Sequence, residues 1–136
     1  MKNLRRIFFV FALITGALSS PLHAQNAEAE QVNAIRAAIK AGSSKELIRY
    51  MDENVDLNLA AQKTSYSKSQ AEYVLKDFFK KYPVTDFQYV HQGKSKEGHK
   101  YAIGNYEFDG GSYRVYILLK LKNGVYKIDT LDFSEE

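Results

Sequence analysis

At 136 residues and without a cysteine, the chain has no thiol to form a disulfide, act as a nucleophile or carry a lipid anchor. Its 19 basic and 16 acidic residues give a formal charge of +3 and a pI near 9.0, yet Lys2, Arg5 and Arg6 account for the whole excess. Without them the balance is 16 against 16, so the basic footprint of a nucleic-acid binder is missing and no such partner is expected.

The chain opens on those three basic residues, continues as an apolar run over residues 7–18, and reaches Leu22-His23-Ala24 ahead of Gln25. This succession is the pattern of a cleavable secretory signal, with the cut expected between Ala24 and Gln25, although Leu22 is larger than the residue preferred three before the bond. As a helix, roughly 12 apolar residues span about 18 Å, short of the about 30 Å of a hydrocarbon core. Residues 1–24 therefore read as a signal peptide. Residues 25–136 read as one exported domain, periplasmic or extracellular, with no membrane attachment after cleavage. About 112 residues suffice to bury a core without metal or disulfide support, and no repeat or Pro/Gly-rich linker divides them.

Residues 27–41 are alanine-rich and space Val32, Ile35 and Ile39 three and four apart, which predicts a helix with one apolar stripe that Gly42 ends. Ser43 with Glu46 has capping-box spacing and starts a short helix to about Met51 that buries Leu47 and Tyr50. Val55, Leu57 and Leu59 alternate with polar residues, the period of a strand. Over residues 68–81, Ala71, Val74, Leu75, Phe78 and Phe79 share a stripe that Tyr82 continues. Ser67 with Gln70, or Ser69 with Glu72, caps the start, and Pro83 forbids continuation. Period-two patterning then predicts strands at 84–93, 100–108, 112–122 and 125–133, with Asn123-Gly124 as a tight hairpin. The order α-α-β-α-β-β-β-β describes an α+β domain whose helices pack on a curved, mainly antiparallel sheet.

In the third of those late strands Tyr113, Val115, Ile117, Leu119 and Leu121 form one face, while Tyr116 and Leu118 on the other face are apolar too. A sheet with one solvated face would carry polar residues there. The simplest cover is a second copy, so a homodimer with Tyr116 and Leu118 at its interface is expected.

The segments Tyr66-Ser67-Lys68-Ser69-Gln70-Ala71-Glu72, Lys76-Asp77-Phe78-Phe79, His91-Gln92-Gly93-Lys94, Tyr101-Ala102-Ile103-Gly104 and Tyr113-Arg114-Val115-Tyr116 occur in that order. Together they resemble an uncharacterised family of exported bacterial proteins, domain of unknown function 4783, across nearly all of residues 29–133. The resemblance implies the cystatin-like, nuclear transport factor two-like cone of helices against a bent sheet, often dimeric and often with a pocket at its open end. It implies no catalytic residues, because the family offers none to carry over.

The residues themselves point to no reaction. There is no Gly-x-Ser-x-Gly elbow and no phosphate-cradling glycine loop. His91 and His99, with Glu97 between them, read as exposed histidines rather than a metal site. Lys94, Lys96, His99 and Lys100 read as a solvated loop around a turn. Neither cofactor nor metal is expected. Candidates for lining a cone pocket are Tyr89, His91, Tyr101, Asn105, Glu107 and Asp129, although periodicity does not say which face of residues 100–108 turns inward. Six of the ten tyrosines fall on predicted strands, and tyrosine joins apolar area to one polar tip, as binding surfaces require. The reading is a non-catalytic module for a small apolar ligand or a partner protein. The alternative is an isomerase or dehydratase-like enzyme working by acid and base in the pocket. Intact-mass measurement of the protein exported by its own host is expected to give the mass of residues 25–136; retention of residues 1–24 would contradict the signal reading.

Overall fold

The computed structural model describes residues 21–136; most of the expected signal segment, residues 1–20, lies outside them. Helix α1 spans Pro21–Lys40 and so includes the expected cleavage bond between Ala24 and Gln25. Its stripe is as the spacing requires, with Ile35, Ala38 and Ile39 buried. At its end the Gly42 amide donates to the Ile39 carbonyl and the Ser43 amide to the Ala38 carbonyl. That pair of bonds needs a residue at positive φ, and Gly42 sits at +62°. Ser43 then caps α2 (Ser44–Leu47) by accepting from the Glu46 amide, and a 3-10 turn, Ile48–Tyr50, leads into β1 (Met51–Leu59).

A strand the sequence pattern did not indicate follows. The chain turns at Ala60-Ala61 and returns as β2 (Gln62–Ser67), antiparallel to β1. The observed order therefore has two strands, not one, between the second and third helices. Both alanines take positive φ, 53° and 73°, the geometry of a two-residue hairpin that normally selects asparagine and glycine. The new strand is an exposed edge with Tyr66 as its one large apolar residue, so it carries no alternation to read.

Helix α3 (Lys68–Lys81) starts on a complete capping box: the Ser67 hydroxyl accepts from the Gln70 amide at 3.3 Å and the Gln70 side chain accepts from the Ser67 amide at 3.1 Å. Beyond Pro83 come β3 (Val84–Lys94), β4 (Lys100–Phe108), β5 (Gly111–Lys122) and β6 (Val125–Glu135). The six strands form one sheet in the order β2-β1-β6-β5-β4-β3, antiparallel throughout except for β1 beside β6. Register shifts between Tyr89 and His91, and between Leu118 and Leu119 against β6, each add a residue to one strand, and such bulges bend a sheet. The concave face receives the three helices. There Phe87 lies flat on β4 because Gly104 has no Cβ: one built at Gly104 would meet the Phe87 ring at 2.7 Å and the Gln88 carbonyl oxygen at 2.8 Å.

Two successive alanines in the left-handed region destabilise the hairpin by roughly 1 kcal/mol each. Replacing them together, Ala60→Asn with Ala61→Gly, is expected to raise the unfolding free energy by about 1 kcal/mol, seen as a higher urea midpoint at unchanged slope.

Candidate functional site

The centre of the cone is closed by aromatic rings. From α3, Phe78 places its ring 4.7 Å from Phe133 of β6, 5.8 Å from Tyr113 of β5 and 6.1 Å from Tyr106 of β4. Phe79 stacks on Tyr106 at 6.2 Å, and Tyr82 meets Phe108 and Tyr113 edge-on at 5.0 and 5.2 Å. Phe133 and Tyr106 are fully buried. The Tyr106 hydroxyl donates to the Tyr82 carbonyl. Among the described residues Ser44 is the one polar residue that is buried, so no described carboxylate or imidazole is enclosed beside these tyrosines.

The six residues expected to line a pocket do not share one. Tyr89 points into the concave side, where its hydroxyl donates to the Val32 carbonyl of α1 at 2.8 Å. Tyr101, Asn105 and Glu107 alternate with the buried Ala102, Gly104 and Tyr106 and so lie on the convex face. His91 joins them because the irregularity after Tyr89 shifts the alternation: Tyr89 pairs with Gly104, whereas His91 pairs with Ile103. Asp129 sits at the irregularity in β6, 3.4 Å from the Lys120 ammonium.

What the structure does gather is a patch on the convex face. Tyr101 and Ile103 of β4 stand opposite Leu118 and Tyr116 of β5, and all four are half-buried. The Tyr101 and Tyr116 rings stack at 6.3 Å, and His91 Nε2 lies 3.0 Å from the Tyr101 hydroxyl. Gly93 seats that tyrosine, since a Cβ there would stand 2.6 Å from its hydroxyl oxygen. On the flanks, Asn58 donates to Asp132 at 3.0 Å. The Oδ1 atoms of Asn58 and Asn105 are buried and have no hydrogen-bond partner among the described residues. Of this patch, sequence reasoning named Tyr116 and Leu118 as an interface and missed Ile103. The signal available for it was the register with Tyr116, which periodicity does not provide. His99 pairs with Glu97 at 3.2 Å, and the described residues contain no group of three metal-type side chains.

The profile of Domain of unknown function (DUF4783) matches residues 32–134, most of the chain. The chain belongs to the DUF4783 family. A solved DUF4783 family protein from Bacteroides ovatus ATCC 8483 is 32% identical, with a TM-score of 0.71 over 76% of this chain and 93% of that one. Two more distant structures share the fold alone. One bears the name Rd1NTF2_05 (16% identity, TM-score 0.63, covering 80% of this chain and 98% of that one). The other is an uncharacterized cystatin fold protein from Novosphingobium aromaticivorans (15%, 0.58, covering 76% and 94%). No curated protein matches. The DUF4783 chain thus has the cystatin-like, nuclear transport factor two-like cone that its motifs implied.

Burial raises the Tyr106 and Tyr89 hydroxyls well above the ordinary tyrosine value of 10.0, with Arg36 opposing in part at Tyr89. Burial, and next the hydrogen bond with Tyr82, push Tyr113 up to about 12. A raised folded-state value keeps the proton on the folded chain while the unfolded chain gives it up, so stability is full below pH 10 and falls as pH rises through 12. Urea unfolding across that window is expected to show a declining free energy that is shallower in Tyr106→Phe. A flat profile would contradict burial of these hydroxyls.

Proposed function

We propose that this protein is a non-catalytic exported module that pairs with a second copy of itself through the convex face of its sheet. The observation that carries the reading is the apolar block Tyr101, Ile103, Tyr116 and Leu118, on a face that a solitary sheet would leave polar. The aromatic packing around Phe78 supports it, because no carboxylate or imidazole among the described residues is enclosed there to serve as an acid/base pair.

The register suggests the geometry. His91, Ile103, Tyr116 and Asp132 occupy one row across β3, β4, β5 and β6. A two-fold axis along the seam between β4 and β5 sets each row against its own reverse. Ile103 then faces the second copy's Tyr116, Tyr101 its Leu118, and His91 its Asp132. The next row sets Arg114 against the side of the sheet where the Asn105 amide oxygen lacks a donor. Apolar residues meet at the centre and polar ones at the rim, the layout of a self-complementary interface.

Light scattering on the exported protein is expected to give twice the chain mass at micromolar concentration. Leu118→Glu, a half-exposed change that leaves the concave core untouched, is expected to give the single mass with an unchanged circular dichroism spectrum. A wild-type monomer at those concentrations would sink the proposal.

A further inference from the structure

Six residues further along β5 than Tyr113, about 20 Å in an extended strand, the concave face is no longer filled by rings. Between the N-terminal half of α1 and the ends of β3, β4 and β5 lies a groove of about 370 Å³. Ala29 and Val32 of α1 and Ala102 and Leu119 of the sheet supply apolar wall, and Lys94 and Lys100 stand at its edge. Lys94 is exposed, as its place beside a turn suggests, but Lys100 is not part of a solvated loop. They form the last register pair of β3 and β4, on the face that Ala102 shares.

Like charges placed directly opposite on one face repel. Lys100 is held in spite of this: its side chain is 16% exposed, its ammonium pairs with Glu28, and it lies 4.9 Å from the centre of the Tyr126 ring. Lys94 has no ion-pair partner among the described residues. The groove therefore carries two cations against one carboxylate, beside apolar walls, so it has room for one more negative charge and for an apolar body attached to it.

We infer that this groove binds a soluble amphipathic monoanion, a carboxylate on an alkyl chain, with the carboxylate between Lys94 and Lys100 and the chain against Val32, Ala102 and Leu119. At about 30 Å³ for each small group, the volume suits about a dozen non-hydrogen atoms, the size of decanoate, and it falls within the range of small-molecule sites. Glu28 shares Lys100 with the entering anion and competes with it there. Lys94, Lys100, Ala102 and Leu119 lie on the opposite face from the proposed dimer contact, and Tyr101 borders both.

Calorimetric titration of the exported protein with decanoate tests this. Saturable binding at one site per chain is expected, with decanol, the same chain without the charge, at least about tenfold weaker, the factor for one charge-assisted hydrogen bond. Lys94→Gln is expected to weaken decanoate about tenfold at unchanged melting temperature, because Lys94 is exposed. Glu28→Gln is expected to tighten it by removing the competing carboxylate. No binding up to millimolar decanoate, equal binding of decanol, or indifference to both substitutions would each overturn the inference. None of these results changes the mass measured by light scattering, so failure here leaves the dimer reading standing.

Discussion

Phe78 is the ring on which the architecture turns. It stands in the last turn of α3, and its neighbours come from three different strands and from its own helix: Phe133, Tyr113, Tyr106, Phe79 and Tyr82 all have ring centres within 4.7 to 6.1 Å. Offset and edge-on aromatic pairs contribute about 0.5–1.5 kcal/mol each beyond the area they bury. A cluster contributed by β4, β5 and β6 also ties the middle of the sheet to one helix. The ends of that helix are fixed independently, by the Ser67-Gln70 capping box and by Pro83, so the position of Phe78 along the cone follows from local sequence.

Once that cluster is in place, the two faces of the sheet have different work. The concave face is packed with rings where α3 crosses it and opens as a groove beneath α1, where lysines stand at the strand ends. The convex face receives no helix and is left with tyrosine, isoleucine and leucine at its centre. Two glycines make the division possible. Gly104 lets Phe87 lie against the backbone on the inside, and Gly93 lets Tyr101 do the same on the outside. A Cβ at Gly104 would meet backbone as well as the Phe87 ring, whereas one at Gly93 would displace only the outer end of Tyr101, so the inner contact is the stricter of the two.

What could be read from the sequence was what is decided within a few residues. The capping boxes, the Gly42 and Pro83 stops and the Asn123-Gly124 hairpin, with φ of 50° and 79°, are local bargains between neighbouring groups. Strand β2 was illegible because its turn uses Ala60 and Ala61 against their own preference and its exposed edge has no buried side to print a pattern. The site was harder still. In β4 both faces are apolar, and the choice between them rests on a cross-strand contact with Phe87. In β3 a bulge separates Tyr89 from His91, two residues apart, and sends them to opposite faces; periodicity without register places them together.

The convex face keeps two amides whose oxygens have no partner among the described residues. An unpaired buried oxygen costs roughly 1–3 kcal/mol, and Asn58 near the end of β1 and Asn105 in the middle of β4 each carry one, on strands where asparagine also has poor propensity. A threonine or valine at either place would satisfy the sheet better. Asn105 lies beside Ile103 of the block, whereas Asn58 is separated from Tyr116 by Asp132; Arg114, the neighbour of Asn105 across the seam, is exposed with its guanidinium turned to Glu136 at the chain end. Exposed apolar area and one acceptor without a donor, that of Asn105, thus coincide on one surface. In the proposed two-fold pairing, Asn105 lies under the second copy's Arg114 while Asn58, out on β1, falls beyond the edge strand β3 and is left to solvent or to another contact.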